Sequence, residues 1–181
     1  MSKQSMKEFP PELQLRIAVS EDAELIADLS RSTFFDTFYA QNDPSNINLF
    51  LREQFTRSSL IAEVGMPGNT FVLAYADNEV AGYMKLRDGI VPPELGTANT
   101  LEIARIYATQ KMVGRGVGKR LMEYAHETAV KMGRQSIWLA VWEKNPRALR
   151  FYENWGFRIV GKQVFVLGLD LQTDWIMQKM L

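Results

Sequence analysis

The run Val113-Gly114-Arg115-Gly116-Val117-Gly118-Lys119 sets three glycines at alternate positions, after an apolar stretch from Leu101 to Ala108 and before an amphipathic one ending near Met132. Glycines leave backbone N–H groups uncovered. The first N–H groups of a helix also lack intrahelical partners and lie at the positive end of its dipole. Between a predicted strand and a predicted helix, such a turn is an anion site suited to phosphates, with Arg115 and Lys119 as added cations. Two phosphate patterns fail here. A Walker loop needs Ser or Thr after Gly-Lys to hold magnesium, but Arg120 follows Gly118-Lys119. A GxGxxG dinucleotide fingerprint lacks its last glycine, and Gln135 and Ser136 stand where it expects an acid about 20 residues on. A purely structural glycine turn is the competing explanation.

Other chemistries are thinly supplied. The chain has no cysteine, which removes disulfides, thiolate metal sites and a cysteine nucleophile. Its one histidine, His126, lies within the helical run after the glycines and has no evident serine and carboxylate partners. No metal is expected. Lys plus Arg and Asp plus Glu each number 21, so overall charge argues for neither nucleic acid nor an anionic membrane as partner. The charges are unevenly spread. Residues 20–43 hold six acids against Arg31, and residues 111–134 hold six bases against Glu123 and Glu127. Two solvated helix faces account for this, as do a cation-facing and a phosphate-facing pole.

The elements that must position the turn follow from periodicity and punctuation. Residues 1–12 read as a flexible tail and 13–181 as one domain. Leu15–Val19 is a predicted strand, Ser20 a helix N-cap, and the helix runs to about Ala40. A second helix follows Asp43-Pro44, and a third covers Ser58–Val64. Thr70–Ala76 and Glu79–Leu86 form a hairpin around Asp77-Asn78. Leu101–Ala108 is a central strand, residues 115–132 a helix, and Ser136–Val141 a strand buried on both faces. Asn145-Pro146 reads as N-cap plus first helical residue and Gly156 as the stop. Phe157–Val166 and Asp174–Met180 are the closing strands. The sum is a mixed α/β sheet flanked by helices. No run approaches the roughly 20 apolar residues of a membrane span, and the first residues lack a signal core, so a cytoplasmic location is expected.

The segment Asn145-Pro-Arg-Ala-Leu-Arg-Phe-Tyr-Glu-Asn-Trp-Gly-Phe157 is similar to the NxxAxxFYxxxGF signature of the GNAT N-acetyltransferases. The glycine run resembles their [Q/R]xxGx[G/A] turn, with Gly116 and Gly118 as the matching glycines. The resemblance covers Leu15–Leu181 in element order. It implies a mostly antiparallel sheet of about seven strands, with acetyl-CoA as cosubstrate and its pyrophosphate on residues 113–119. It departs at Val113, where the family usually has Gln or Arg, so more of the binding falls to backbone N–H groups. It also implies that the backbone of Ile106, Tyr107 and Ala108 pairs with the pantetheine arm, which Asn145 touches.

Acetyl transfer to an amine needs the neutral nucleophile, yet an alkylamine with a pKa near ~10.4 is almost wholly protonated at pH 7. Glu102, on the strand before the turn and 11 residues ahead of Val113, has the spacing of the base glutamate in histone-type members. Pairing with Arg105 or another cation is its structural alternative, and Asp36 and Glu143 are lesser candidates for the base. Tyr152 is the residue to which the resemblance gives the general acid role, with a core tyrosine as its alternative. The stretches 33–44, 137–145 and 170–181 look like PaiA-type bacterial polyamine acetyltransferases. That likeness implies a small amine acceptor such as spermidine or spermine, with Phe34, Asp36, Tyr39, Trp142 and Glu143 as candidate contacts. Carboxylates attract a polycation and aromatic faces bind ammonium groups, though aromatics at these positions equally suit a core. Without cysteine there is no acetyl-cysteine intermediate, which favours direct transfer in a ternary complex. A protein lysine or N-terminus, another small amine, and a non-catalytic acyl-CoA sensor are the other readings. A homodimer is common among similar proteins, and no interface is legible in the chain.

Overall fold

A computed structural model describes residues 12–89 and 91–181. The expected tail therefore lies outside the described residues, Glu12 excepted. One seven-stranded sheet runs through the molecule in the order β1-β2-β3-β4-β5-β7-β6. Its strands are β1 (Leu13–Ile17), β2 (Asn69–Ala76), β3 (Glu79–Arg87), β4 (Thr100–Ala108), β5 (Ser136–Trp142), β6 (Arg158–Leu167) and β7 (Asp170–Met180). All neighbours are antiparallel except β4 and β5. The helices are α1 (Ala23–Phe38), α2 (Pro44–Leu49), α3 (Arg57–Glu63), α4 (Val117–Lys131) and α5 (Pro146–Asn154).

Local chemistry explains most boundaries. Asp77 and Asn78 both take positive φ, 50° and 66°. That is the left-handed pair a two-residue hairpin needs to match strand twist. Asp43 caps α2 by accepting from the Ser45 N–H at 2.7 Å, and Pro44 fills the first position, whose N–H would be unpaired anyway. Asn145 caps α5 through the Ala148 N–H at 3.1 Å. The start of α1 corrects the expected Ser20 cap. Residues 20–22 form a 3₁₀ turn, and the Asp22 carboxylate does the capping, accepting from the Val19 N–H at 2.8 Å while Arg16 holds both its oxygens. The hydroxyl of Ser20 bonds to neither turn nor helix. After α2 the chain adds one π-helical turn, Phe50–Gln54, whose end Arg31 caps by donating to the Leu51 and Phe55 carbonyls.

The sheet has two unlike faces. On one, α4 and α5 cover Val72, Met84, Leu101, Ile103, Leu139 and Met177, with Leu121, Ala125 and Phe157 wholly buried. On the other, α1 and α3 cover Leu73 and Tyr83. Phe34 and Phe50 form a further cluster there with Leu167. The β6–β7 turn is bolted to the helical side by the Leu169 N–H to Asn46 Oδ1 (3.0 Å) and Gln172 Nε2 to Asn42 Oδ1 (2.6 Å). β7 begins at Asp170, four residues earlier than its alternation suggests, because pairing with β6 continues to the turn.

Candidate active site

β4 and β5 are joined only where Thr100–Glu102 meets Ser136–Trp138. Beyond that point β4 continues to Ala108 and β5 to Trp142, and the two diverge. A bulge in β4 between Ile103 and Arg105 lies just past the last paired residue, where it bends the strand. From Ile103 to Ala108 the edge of β4 facing β5 thus has no strand partner, which leaves a wedge lined by backbone donors and acceptors. Ile106 and Ala108 turn their side chains to the α4 core, and Tyr107 turns to the α1 side, its ring 6.0 Å from that of Tyr83.

The glycine turn closes one end of this wedge. Gly116 is the N-cap of α4 in a left-handed conformation, φ 88°, which a residue with a Cβ adopts only under strain. Its carbonyl accepts the Arg120 N–H at 3.0 Å, so the N–H groups of Val117, Gly118 and Lys119 precede the helical ladder. Val113, Gly114, Arg115 and Lys119 are exposed, while Val117 is anchored in the core. Gly82 sets the turn against β4. A Cβ on it would lie 2.4 Å from the Tyr107 oxygen and 2.8 Å from Val117 Cγ1, so only glycine permits this contact. Sequence reading missed Gly82, because a glycine inside a strand signals close backbone approach without naming what approaches.

Tyr152, on α5, belongs to the core beneath the sheet, 9% exposed and edge-on to Phe151 and Phe157. Burial alone pushes its hydroxyl well above the ordinary value of 10. Burial also raises Tyr107, reinforced by Tyr83, Tyr152 and Asp174 and opposed by Arg105. Glu102 sits at the apex, 5% exposed. Its two oxygens accept from Arg87 Nε (2.5 Å) and Nη2 (2.8 Å), a bidentate pair in register across β3 and β4. The cation is thus Arg87 rather than Arg105, which instead holds Glu63 at 2.6 and 3.0 Å beside Lys85.

The candidate acceptor contacts do not converge as a set. Trp142 is buried and meets Phe38 edge-on at 6.0 Å, and Phe34 packs on Phe38 and Phe50 at 4.7 Å each. Phe34 is therefore a core residue. Asp36 is exposed, two residues from Phe34 and Phe38 and so off their helix face. Tyr39 is 39% exposed and stacks on Phe35, and Glu143 is exposed just past β5. The acid-rich segment is largely spent locally, with Asp22 on Arg16, Glu24 and Asp28 on Arg57, and Asp43 on its cap. Asp174, to which sequence reading gave no role, pairs across the sheet with Trp142 and Gln163. Burial alone raises its carboxyl from 3.8 to about 6. The available signal was an acid that opens the apolar run Asp174-Trp175-Ile176-Met177.

An open parallel pair with a free strand edge, a helix N-terminus at one end and a buried tyrosine beside it is a frame for an extended, phosphate-bearing thioester. Residues 26–157 match the acetyltransferase (GNAT) family. The chain belongs to that family. It is an acetyl-CoA-dependent N-acetyltransferase. An uncharacterized N-acetyltransferase from the pepI 3' region of Lactobacillus delbrueckii subsp. lactis is 38% identical over 92% of this chain and 96% of its own. Among solved structures, the PaiA N-acetyltransferase from Thermoplasma acidophilum in complex with coenzyme A has a TM-score of 0.73 at 22% identity, covering 94% of this chain and 99% of its own. YncA from Salmonella typhimurium, solved with acetyl-CoA, has a TM-score of 0.66 at 19% identity, covering 94% of each chain. At these identities the two structures establish the shared fold. No cluster of residues able to hold a metal occurs among the described residues, and none of their helices is long and apolar enough to cross a membrane.

Proposed function

We propose that this enzyme acetylates the primary amine of a small molecule by direct transfer from acetyl-CoA in a ternary complex, with a polyamine such as spermidine as the acceptor class. The observation that carries the reading is the wedge. The unpaired edge of Ile103–Ala108 suits the amides of pantetheine as an added strand. The N–H groups of residues 117–119, with Arg115 and Lys119, suit the pyrophosphate. In this pose Asn145, whose amide NH₂ is not used by its cap bond, donates to the pantetheine arm.

Tyr152 serves as general acid. Its raised pKa keeps the hydroxyl protonated at neutral pH until the departing sulfur develops charge, when the proton moves to it. Trp142 supplies an aromatic wall for the acceptor, and Asp36, Tyr39 and Glu143 line its exposed approach. Phe34 acts from the core by supporting Phe38. A second copy of the chain is the partner that suits the exposed apolar row Val164, Val166 and Leu171 on β6 and β7. A monomer in sedimentation equilibrium overturns that part.

The test is acetyl-CoA-dependent thiol release over spermidine, a lysine peptide, a peptide with a free N-terminus, and an aminoglycoside. Turnover of spermidine above the peptides supports the polyamine class, and preference for a peptide replaces it. Tyr152→Phe is expected to lower kcat about 10²-fold or more while acetyl-CoA affinity holds. Unchanged turnover removes Tyr152 from the acid role.

A further inference from the structure

Asp174 is a carboxylate out of place. Along β7 its side chain falls on the same face as Ile176, which packs on Leu95 and Trp138, and opposite to Trp175 in the α4-side core. On that face it stands in register with Trp142 of β5 and Gln163 of β6, at the end where β4 and β5 part. Tyr107 of β4 lies on the same face of the sheet, and Phe38 of α1 lies behind Trp142. Among the described residues no cation approaches it, and no hydrogen bond contributes to its state. The buried or half-buried acids nearby are committed, Glu102 to Arg87 and Glu63 to Arg105 and Lys85, while Glu143 and Asp36 are exposed to solvent. A partly buried carboxylate with no partner is costly, and a protein retains one most readily where a ligand supplies the missing cation.

We propose that Asp174 is the docking point of the acceptor's ammonium group and the base that takes its proton. The inference rests on the acetyltransferase reading and adds a residue to it. The acceptor arrives as R–NH₃⁺ and gives one proton to the Asp174 carboxylate, which passes it to solvent. The neutral nitrogen then attacks the thioester carbonyl carbon. As the C–N bond forms and the C–S bond breaks, the nitrogen's second proton goes to Asp174, through water if needed, and the sulfur takes the Tyr152 hydroxyl proton. Loss of the Asp174 proton to solvent and uptake of one by Tyr152 reset both. The sum is R–NH₃⁺ plus acetyl-CoA giving the acetamide, free coenzyme A and one proton. Glu102 suits this task less, because both its oxygens already accept from Arg87. A carboxyl that titrates near 6 is also a stronger base at neutral pH than an ordinary aspartate.

The groups facing Asp174 are Trp142 from β5, Gln163 from β6 and Tyr107 from β4, of which only Tyr107 titrates, well above neutrality. The acidic limb of kcat/KM, measured as a function of pH, therefore reports Asp174. The experiment compares wild type, Asp174→Asn and Asp174→Glu, using spermidine, a lysine peptide and a peptide with a free N-terminus as probes. Acetyl-CoA affinity is read by calorimetry as the check on folding. Asp174→Asn is expected to lose about 10²-fold in kcat/KM at pH 7 and the acidic limb with it, leaving a rate that rises with free amine. Asp174→Glu should restore part of the rate and a shifted limb. Wild-type kcat/KM with an unchanged limb in Asp174→Asn overturns the assignment while the acetyltransferase reading stands. A wild-type enzyme that binds acetyl-CoA but transfers acetyl to none of the three amines fails the function itself. In that case the second arm, calorimetric binding of spermidine to the coenzyme A complex, decides on Asp174. Binding weakened at least tenfold by Asp174→Asn keeps the ammonium site, and equal binding removes it.

Discussion

An unpaired carboxylate in the wedge should destabilise the free enzyme in a way that depends on pH. Burial raises the Asp174 carboxyl from 3.8 to about 6, so the folded chain binds its proton more tightly than the unfolded chain does. Between those values the native state holds more protons, and stability must fall as pH rises through the interval. A difference of roughly two pKa units corresponds to about 3 kcal/mol at about 1.4 kcal/mol each, and the side chain's partial exposure to solvent lowers this to about 1–2 kcal/mol. Asp174→Asn removes the ionisation and nearly keeps the shape. Without acetyl-CoA the variant should therefore match wild type at pH 4 and exceed it by about 1–2 kcal/mol at pH 8. Urea unfolding at both pH values reads the difference, with equal m-values required for the comparison. A gain of the same size at pH 4, or an Asn variant less stable than wild type at pH 8, would refute the reasoning. The first result would mean the effect is not ionisation, and the second that the carboxylate has a stabilising partner.

Two further predictions address the other end of the wedge and its apex. Gly116→Ala forces a Cβ into a left-handed conformation at φ 88°, at a cost of roughly 1–2 kcal/mol. It should lower the urea midpoint and weaken acetyl-CoA binding together, and an affinity unchanged in calorimetry would detach the turn from the pyrophosphate. Glu102→Gln breaks a bidentate pair with Arg87 and leaves that guanidinium, 33% exposed, to solvent. It should lower Tm while the pH profile of kcat/KM keeps its shape. Loss of activity regained at high pH would give the base role to Glu102 and withdraw it from Asp174.

Where structure is decided by neighbours in the chain, the sequence was readable. The Asp77-Asn78 hairpin, the Asp43 and Asn145 caps and the helix after the glycines all depend on contacts within four residues. The Ser20 cap failed for a local reason with a distant component. Asp22 is drawn to the Val19 N–H while Arg16, six residues back and across the turn, clamps both its oxygens. Partners brought together by the sheet were not legible. Nothing within the chain between Arg87 and Glu102 says that they face each other, because that register depends on the bulge in β4. The same holds for the acid-rich stretch, which looks like a surface for cations until Arg16 and Arg57 are seen to occupy it. For Phe34 the chain leaves ligand contact and core both open for a related reason, since aromatic residues at one helical spacing look alike whether they face a ligand or one another.

These contrasts bear on how the acceptor is recognised. An exposed acidic surface attracts cations weakly and is screened by salt, whereas one unpaired carboxylate in a partly buried wedge acts at short range with less screening. With Glu24 and Asp28 held by Arg57 and Asp22 by Arg16, long-range attraction for a polycation is small on α1. In the proposed site, selection of an amine falls to the interior, with the aromatic face of Trp142 and the charge of Asp174 one strand away. Such a site discriminates a protonated amine from a neutral molecule more strongly than it distinguishes one amine from another. On the same proposal, the remainder of the acceptor is read by Tyr39, Asp36 and Glu143, which are exposed. Changing those three residues should alter KM among amines and leave kcat for the preferred one, while Asp174→Asn lowers kcat for all of them. Steady-state kinetics over several amines separates the two patterns. A uniform fall in kcat from the outer variants would place the chemistry at the rim and refute the interior site.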